Sequence, residues 1–146
     1  MDDPRYDMLK LENQLCFPLY ACAREAIRQY TPFLDEICLT YTQYIAMMVL
    51  WEEKRVSVKE LGERLWLDSG TLTPLLKKLE AGGLITRTRS ADDERVLIVA
   101  LTPKGEALRE RALDIPEKMA QCSKLDPQDA AELYRILYKM LGRKPK

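Results

Sequence analysis

The sequence predicts a mainly α-helical protein with a small β-hairpin wing, in which a winged helix-turn-helix lies between helical dimerisation arms. Three observations lead to this prediction. Apolar residues recur at helical spacing along most of the 146 residues, two short helices meet near residue 68, and a β-rich segment, 84–102, surrounds a charged turn. We divide the chain into N-terminal helices at 1–53, the winged region at 54–102 and C-terminal helices at 103–146.

The first predicted helix runs from about Leu9 to Arg28, and Thr31-Pro32 is expected to end it. Its apolar residues form two adjacent stripes, which indicates burial on two sides, as at a subunit interface. Pro18 lies inside this predicted helix, two residues after Cys16. Because proline has no amide hydrogen, we expect a local kink there that changes the position of Cys16.

The next three segments form the predicted helix-turn-helix. Residues 42–53 are apolar nearly all round, which is typical of a central buried helix. "VSVKELGERLWL" predicts a short amphipathic helix, and "DSGTLTPLLKKLEAGG" predicts a second one, capped by Asp68 or Ser69 and stopped by Gly82-Gly83. The predicted core face of that second helix consists of Leu72, Leu75, Leu76 and Leu79.

The remaining chain predicts a hairpin followed by helices. "LITRTR" and "VLIVALT" read as two strands on either side of the polar tip "SADDER". Thr102-Pro103 opens a long helix that is expected to run past Met119 with a kink at Pro116, and Asp126-Pro127 caps a last amphipathic helix.

Composition excludes several classes of protein. The chain has no histidine, which removes the usual general base and metal ligand. None of its four cysteines forms a CxxC pair, so we expect no metal site, no cofactor and no enzyme activity. There is no apolar run of about 18 residues and no apolar signal core at the N-terminus, which predicts a cytoplasmic protein without a membrane partner.

Charge is unevenly distributed, and the second predicted helix of the helix-turn-helix is the candidate DNA reader. Residues 1–53 hold 4 basic and 9 acidic side chains, whereas residues 54–146 hold 19 and 14. Small hydroxyl residues near the start of a helix suit entry into a major groove, and nearby cations suit phosphates. The predicted DNA-binding residues are Ser69, Thr71, Thr73, Lys77, Lys78, Arg87 and Arg95.

The hairpin tip carries three acids that would by themselves repel DNA. We predict that Asp93 holds and orients Arg95 so that its guanidinium enters a minor groove. A solvated turn with an incidental ion pair is the alternative.

The segment "LGERLWLDSGTLTPLLKKLEAGGLITRTRSADDERVLIVALT" resembles the MarR family, including its wing pattern of Asp-x-Arg before a strand that ends in Leu-Thr. The resemblance covers nearly the whole chain. It implies a homodimer built from N- and C-terminal helices, with each subunit offering one winged helix to half of a pseudo-palindromic double-stranded operator.

The stretch "LENQLCFPLY", together with Tyr30 and "LTYTQY", resembles the OhrR branch of that family, the organic-hydroperoxide sensors. The resemblance implies that Cys16 is the peroxide-reactive thiol and that Tyr30 and Tyr41 hydrogen-bond it from the partner subunit. Phenols can stabilise a thiolate without histidine or lysine, so the chemistry agrees. A buried cysteine that only fills the core is the plain alternative.

Oxidised Cys16 needs a second thiol. Cys22 lies six residues along the same predicted helix, about 9 Å away by helical rise, which is beyond disulfide reach. Cys122 resembles in location the resolving cysteine of the two-cysteine OhrR type, and that resemblance implies an intersubunit Cys16–Cys122 disulfide. A mixed disulfide with a low-molecular-weight thiol is the alternative, and Cys38 is expected to be packed.

The predicted function is a repressor that binds its operator when Cys16 is reduced and is released when an organic hydroperoxide oxidises it. Three other functions compete with it: a MarR-type repressor released by a noncovalent aromatic ligand, a thiol peroxidase, and a structural helical dimer without a DNA role.

Overall fold

The computed structural model describes residues 3–144 and confirms the predicted fold class of helices with a small winged sheet. Two 3-10 turns, Pro4–Leu9 and Leu11–Asn13, precede the first α-helix. The elements that follow are α1 Cys16–Asp35, α2 Tyr41–Glu53, β1 Arg55–Ser57, α3 Val58–Leu65, α4 Ser69–Ala81, β2 Ile85–Arg89, β3 Leu97–Leu101, α5 Pro103–Ala112, α6 Ile115–Cys122 and α7 Pro127–Leu141.

Helix α2 is the centre of the core, as its nearly continuous apolar sequence predicts. Ala46, Met47 and Leu50 are completely buried, and the helix packs against α1, α3, α4 and α5. Its first turn is closed by a capping box between Thr40 and Gln43. α2 is thereby the common support for both the helix-turn-helix and the flanking helices.

The helix-turn-helix forms as predicted. Ser57 caps α3 in a capping box with Glu60, and Asp68 caps α4 through a 2.8 Å bond from the Thr71 amide. Trp66 adopts a left-handed conformation, with φ 58°, in the turn between the two helices. The four predicted leucines of α4 are buried, so the rotation of this helix about its axis is set by its core face.

The predicted hairpin is confirmed, and the structure adds a third strand. The sheet has the order β1-β3-β2, with β3 antiparallel to both neighbours. Strand β1 has only three residues, which is too short to show an alternating pattern in the sequence. It forms because β3 offers a free edge next to the end of α2, where Val56 pairs with Val99.

The predicted limits of the first helix are wrong at both ends. Helix α1 begins at Cys16, not near Leu9, and continues through Thr31-Pro32 to Asp35. Pro32 removes only one amide donor, and burial of Leu34 against the core stabilises the last turn. The expected kink at Pro18 is wrong too, because Pro18 lies in the first turn, where amide hydrogens have no partner within the helix.

The C-terminal half also differs from the expectation of one long kinked helix. Two helices form, α5 and α6, and Pro116 lies in the first turn of the second one. Proline is well tolerated there, whereas inside a continuous helix its ring would collide with the carbonyl of Ala112. The predicted cap at Asp126 is confirmed, since its carboxylate accepts hydrogen bonds from the Gln128 and Asp129 amides.

Large apolar side chains remain exposed on the N-terminal segment, α1 and α7. Leu15 is 79% exposed and Met140 is 57% exposed in the single chain. Many large exposed apolar side chains on a few elements indicate an interaction surface. The exposed residues on these elements are Tyr6, Met8, Leu9, Leu11, Leu15, Phe17, Leu19, Tyr20, Ile27, Leu133, Tyr134, Ile136, Met140 and Leu141. Across residues 3–144, no helix has the length and apolar character needed to cross a membrane.

Substitution of Gly105 by alanine tests the contact between α5 and the start of the wing. A Cβ at this position would lie 2.2 Å from the Leu84 carbonyl oxygen, and the Gly105 carbonyl also accepts the Trp51 indole at 2.9 Å. We expect Gly105→Ala to lower the free energy of unfolding by about 2–3 kcal/mol, measured by urea denaturation.

The matched control is Gly82→Ala, whose new Cβ would meet its nearest atoms at an ordinary 3.5 Å. This control should change stability by less than about 1 kcal/mol. Equal stability of the two variants would contradict the close packing at Gly105.

Candidate functional site

The predicted reading residues of α4 lie on the exposed surface of the helix, outside its buried leucine face. Ser69, Thr71, Thr73, Lys77 and Lys78 are all exposed. The Thr73 hydroxyl donates to the Ser69 carbonyl at 2.8 Å, which leaves its oxygen free to accept a further bond. The helix therefore presents hydroxyls near its N-terminus and ammonium groups one to two turns later.

The wing tip holds Arg95 against Asp93. The carboxylate accepts the backbone amide and Nε of Arg95, both at 3.0 Å, and Nη2 at 3.1 Å. These hydrogen bonds from Arg95 lower the pKa of Asp93. The Arg95 side chain is 90% exposed, so the pair orients the guanidinium while leaving it accessible.

Arg87, which the sequence placed among the DNA-binding residues, is located differently. Its side chain is only 18% exposed and pairs with Glu80 of α4 at 3.1 Å. A phosphate contact by Arg87 would therefore compete with an existing partner. Our prediction from the sequence assigned no role to Glu80. Its position seven residues before Arg87, across the Gly82-Gly83 turn, could have indicated that the two side chains form an ion pair.

Cys16 is the first residue of α1 and is exposed in the single chain. The first turn of a helix carries free amide hydrogens, which favour an anion nearby. Tyr30 lies fourteen residues along the same helix, about 21 Å away by helical rise. A contact between Cys16 and Tyr30 therefore requires two copies of the chain.

Tyr30 and Tyr41 lie together at the junction of α1 and α2. Their ring centroids are 5.0 Å apart, and Tyr44 lies 5.8 Å from Tyr30. Burial raises the pKa of both Tyr30 and Tyr41, so their hydroxyls remain protonated donors at neutral pH. Within residues 3–144 neither hydroxyl has a hydrogen-bond partner.

Cys122, the candidate resolving thiol, ends α6 and is exposed. Lys118 of α6 lies over the ring of Phe33, near the end of α1. Arg28 is the main cause of the lowered pKa of Glu25, and Lys124, just after α6, adds to it, so Lys124 lies near the middle of α1. The two helices therefore run antiparallel. Cys16 is nine residues before Glu25, about 13 Å further along α1. Helix geometry thus argues against a disulfide between Cys16 and Cys122 of one chain.

The other two thiols are also exposed. Cys22 shares α1 with Cys16, as predicted. The expectation that Cys38 is packed is wrong: it lies in the α1–α2 loop with φ 56°, which turns its side chain away from the core between the buried Ile37 and Leu39. In the part of the chain that is described, no group of three potential ligands is arranged to hold a metal ion.

Comparisons with known proteins agree with this geometry. Residues 28–111 match the family model described as transcriptional regulator SarA/Rot. The chain is 50% identical over 137 residues to the organic hydroperoxide resistance transcriptional regulator of Bacillus subtilis, an alignment that covers 94% of this chain and 93% of that protein.

Solved structures of AbfR, a protein of Staphylococcus epidermidis, are similar throughout the chain. Reduced AbfR bound to DNA superposes with a TM-score of 0.76 and 33% identity, covering 94% of this chain and 96% of the other. The disulfide form of AbfR superposes with a TM-score of 0.64 and 35% identity over the same shares of both chains.

Ionisation of Tyr44 tests the burial of the tyrosine cluster. Burial, followed by the nearby Tyr30 and Tyr41, raises the pKa of Tyr44 to about 12. An unfolded chain ionises tyrosine near pH 10, so the folded state holds its proton longer. The contribution of Tyr44 to the free energy of unfolding is therefore fully present below pH 10. It should fall by up to about 1.4 kcal/mol per pH unit as the pH rises towards 12.

Urea unfolding of Tyr44→Phe between pH 9 and 11 should show a shallower loss of stability than the unsubstituted protein. Tyr6→Phe, at an exposed position, is the control and should keep the original slope. If Tyr44→Phe keeps that slope as well, the Tyr44 hydroxyl is not shielded in the folded protein.

Proposed function

Because the chain belongs to the OhrR-type branch of the MarR family of transcriptional regulators, we propose that it is a redox-sensing repressor. The reduced homodimer binds a pseudo-palindromic operator, and an organic hydroperoxide releases it by oxidising Cys16. The observation that carries this proposal is the incomplete sensor site of the single chain. An exposed thiol begins α1, and Tyr30, near the end of the same helix, lies about 21 Å away beside Tyr41 of α2. Both phenols are half-buried, and within residues 3–144 neither hydroxyl has a hydrogen-bond partner.

A second copy of the chain completes this site. The exposed apolar residues of α1 and α7 need cover, and antiparallel association of two α1 helices would bring Cys16 of each subunit towards the tyrosine cluster of the other. Tyr30 and Tyr41 would then donate hydrogen bonds to the thiolate. The separation of Cys16 and Tyr30 within one chain supports this partner-subunit role, and Tyr41 lies beside Tyr30.

The chemistry requires no cofactor. The Cys16 thiolate attacks the outer oxygen of the hydroperoxide, the O–O bond breaks, and the alcohol leaves with a proton while cysteine becomes a sulfenic acid. A second thiol then displaces water and forms a disulfide. Apolar side chains near Cys16, among them Phe17 and Leu19, favour an alkyl peroxide over hydrogen peroxide.

Helix α5 provides a physical path from the sensor helix to the reading helix. Arg111 of α5 donates to the carbonyl of Glu36 at the end of α1. Lys104 of the same helix donates to the carbonyl of Gly82 at the end of α4, at 2.8 Å. A shift of α1 that follows oxidation is thus passed to α4 through one rigid helix, and the spacing of the two reading helices in the dimer changes.

Substitution of Cys16 by serine separates redox sensing from DNA binding. In a gel shift, we expect Cys16→Ser to bind operator DNA as tightly as the unsubstituted protein but to remain bound when cumene hydroperoxide is added. Cys38→Ser is the control and should still be released. A noncovalent effector would instead be supported by two results together. Peroxide would not release the unsubstituted protein from DNA, and a small aromatic ligand would release Cys16→Ser.

The partner of oxidised Cys16 can be identified on a nonreducing gel. We expect peroxide to produce a crosslinked dimer of the unsubstituted protein and of Cys22→Ser, and to produce none of Cys122→Ser. A crosslink that persists in Cys122→Ser would rule out Cys122 as the resolving thiol. A monomer whose mass increases by a small thiol would support the mixed disulfide.

A further inference from the structure

We propose that Glu80 and Arg87 form a positioning pair that holds the wing at a fixed angle to the reading helix α4, and that Arg87 acts through this pair and not as a phosphate contact. The inference rests on the proposed operator binding and adds to it a determinant of how the two DNA-reading elements are aligned.

The contact joins the end of the reading helix to the first strand of the wing. Glu80 is the penultimate residue of α4, and Arg87 is the central residue of β2. One carboxylate oxygen accepts the Arg87 backbone amide at 3.0 Å, and the other accepts Nη2 at 3.1 Å. A single side chain thus binds both the backbone and the guanidinium of the strand, which restrains its position and its direction.

The backbone bond matters because β2 is an edge strand. It pairs only with β3, and the bonds from the Thr102 amide to the Leu84 carbonyl and from the Ser90 amide to the Val96 carbonyl show which residues face that partner. Hydrogen bonds of an antiparallel strand alternate in direction, so the amide of Arg87 points away from β3. Glu80 therefore supplies the partner that the sheet lacks at this position.

Arg87 also points to the inner face of the sheet. It lies opposite the fully buried Val99 and shares a face with the buried Ile85. Its Nε is buried and has no hydrogen-bond partner in the described chain, so Glu80 alone orients the guanidinium. Movement of this group to a phosphate would leave the Glu80 carboxylate unpaired beside DNA, whereas the Arg95 side chain is 90% exposed while it stays paired with Asp93.

A protein that contacts two DNA grooves at once needs a fixed angle between the two elements that enter them. Helix α4 enters the major groove and the wing enters a flanking minor groove, and between them the chain is connected by Gly82-Gly83, with Gly83 at φ 75°. Glycines allow rotation at such a turn. Across this turn the Leu84 amide already donates to the Leu79 carbonyl at 3.0 Å, and the Glu80–Arg87 pair adds a side-chain connection further along β2 that limits rotation of the wing.

The two roles of Arg87 predict opposite results for Glu80→Ala. We would measure affinity by fluorescence anisotropy for an operator that the unsubstituted protein selects from random duplexes, between 50 and 200 mM salt. As positioning residues, Glu80→Ala and Arg87→Ala should each weaken operator binding about tenfold, comparable to the loss of one base contact. The double variant should bind the operator with no lower affinity than the single variant of lower affinity. The dependence of affinity on salt concentration (the salt slope) should remain unchanged.

A direct phosphate contact predicts otherwise. Glu80→Ala would then bind as tightly as before or more tightly, because a negative charge is removed and Arg87 is freed. Arg87→Ala would lower the salt slope by about 0.9 for each subunit. Either result overturns the proposal.

The matched control is Glu94→Ala, which removes an acid from the exposed wing tip and should not weaken operator binding. If Glu80→Ala unfolds in a thermal melt, Glu80→Gln retains one acceptor and should give a smaller loss of affinity with an unchanged salt slope; no loss would overturn the proposal. Failure of the unsubstituted protein to select any operator would instead refute the proposed function.

Discussion

The constraint on which the rest of the structure depends is the apolar surface of α1 that its own chain does not cover. A 20-residue helix with Phe17, Leu19 and Ile27 exposed is unfavourable in water unless a second surface removes those side chains from solvent. In the proposed dimer, association of two chains satisfies this constraint and brings the start of one α1 towards the tyrosine cluster near the end of the other. The proposed sensor site is therefore a consequence of dimerisation.

A reactive thiol in a protein without histidine needs another source of stabilisation for its anion. Here the available groups are the free amides at the start of α1 and phenols whose protons are retained by burial. Within the described residues the hydroxyls of Tyr30 and Tyr41 have no hydrogen-bond partner, so both can donate to a thiolate of a second chain. A neutral donor has a further advantage, since it stabilises a thiolate but leaves no unpaired charge when that thiolate is oxidised.

The DNA-reading half depends on close packing between short elements. Trp51 of α2 and the end of α4 both contact the start of α5, and Gly105 is the residue that allows this approach. Because α5 also holds the end of α1 through Arg111, a small displacement of the sensor helix acts on a well-packed junction. Such junctions change by discrete shifts and not by gradual deformation, which suits a two-state regulator.

The sequence by itself determined the elements whose signals are local. The leucine face of α4, the caps at Asp68 and Asp126 and the polar hairpin tip are local patterns, and helical or strand geometry follows from each of them. Its resemblance to known sensors also singled out Cys16, Tyr30 and Tyr41. These inferences needed no knowledge of which segments meet in space.

Tertiary structure decided what depends on contacts between distant residues. Only packing against the core shows that α1 passes through Pro32, since one lost hydrogen bond is weighed there against burial of Leu34. Only the sheet shows that β1 exists and that Arg87 faces inward to Glu80 and not outward. Periodicity places a residue on a face of its own element, but it does not say what that face meets, and the role of a charged side chain is set by that partner.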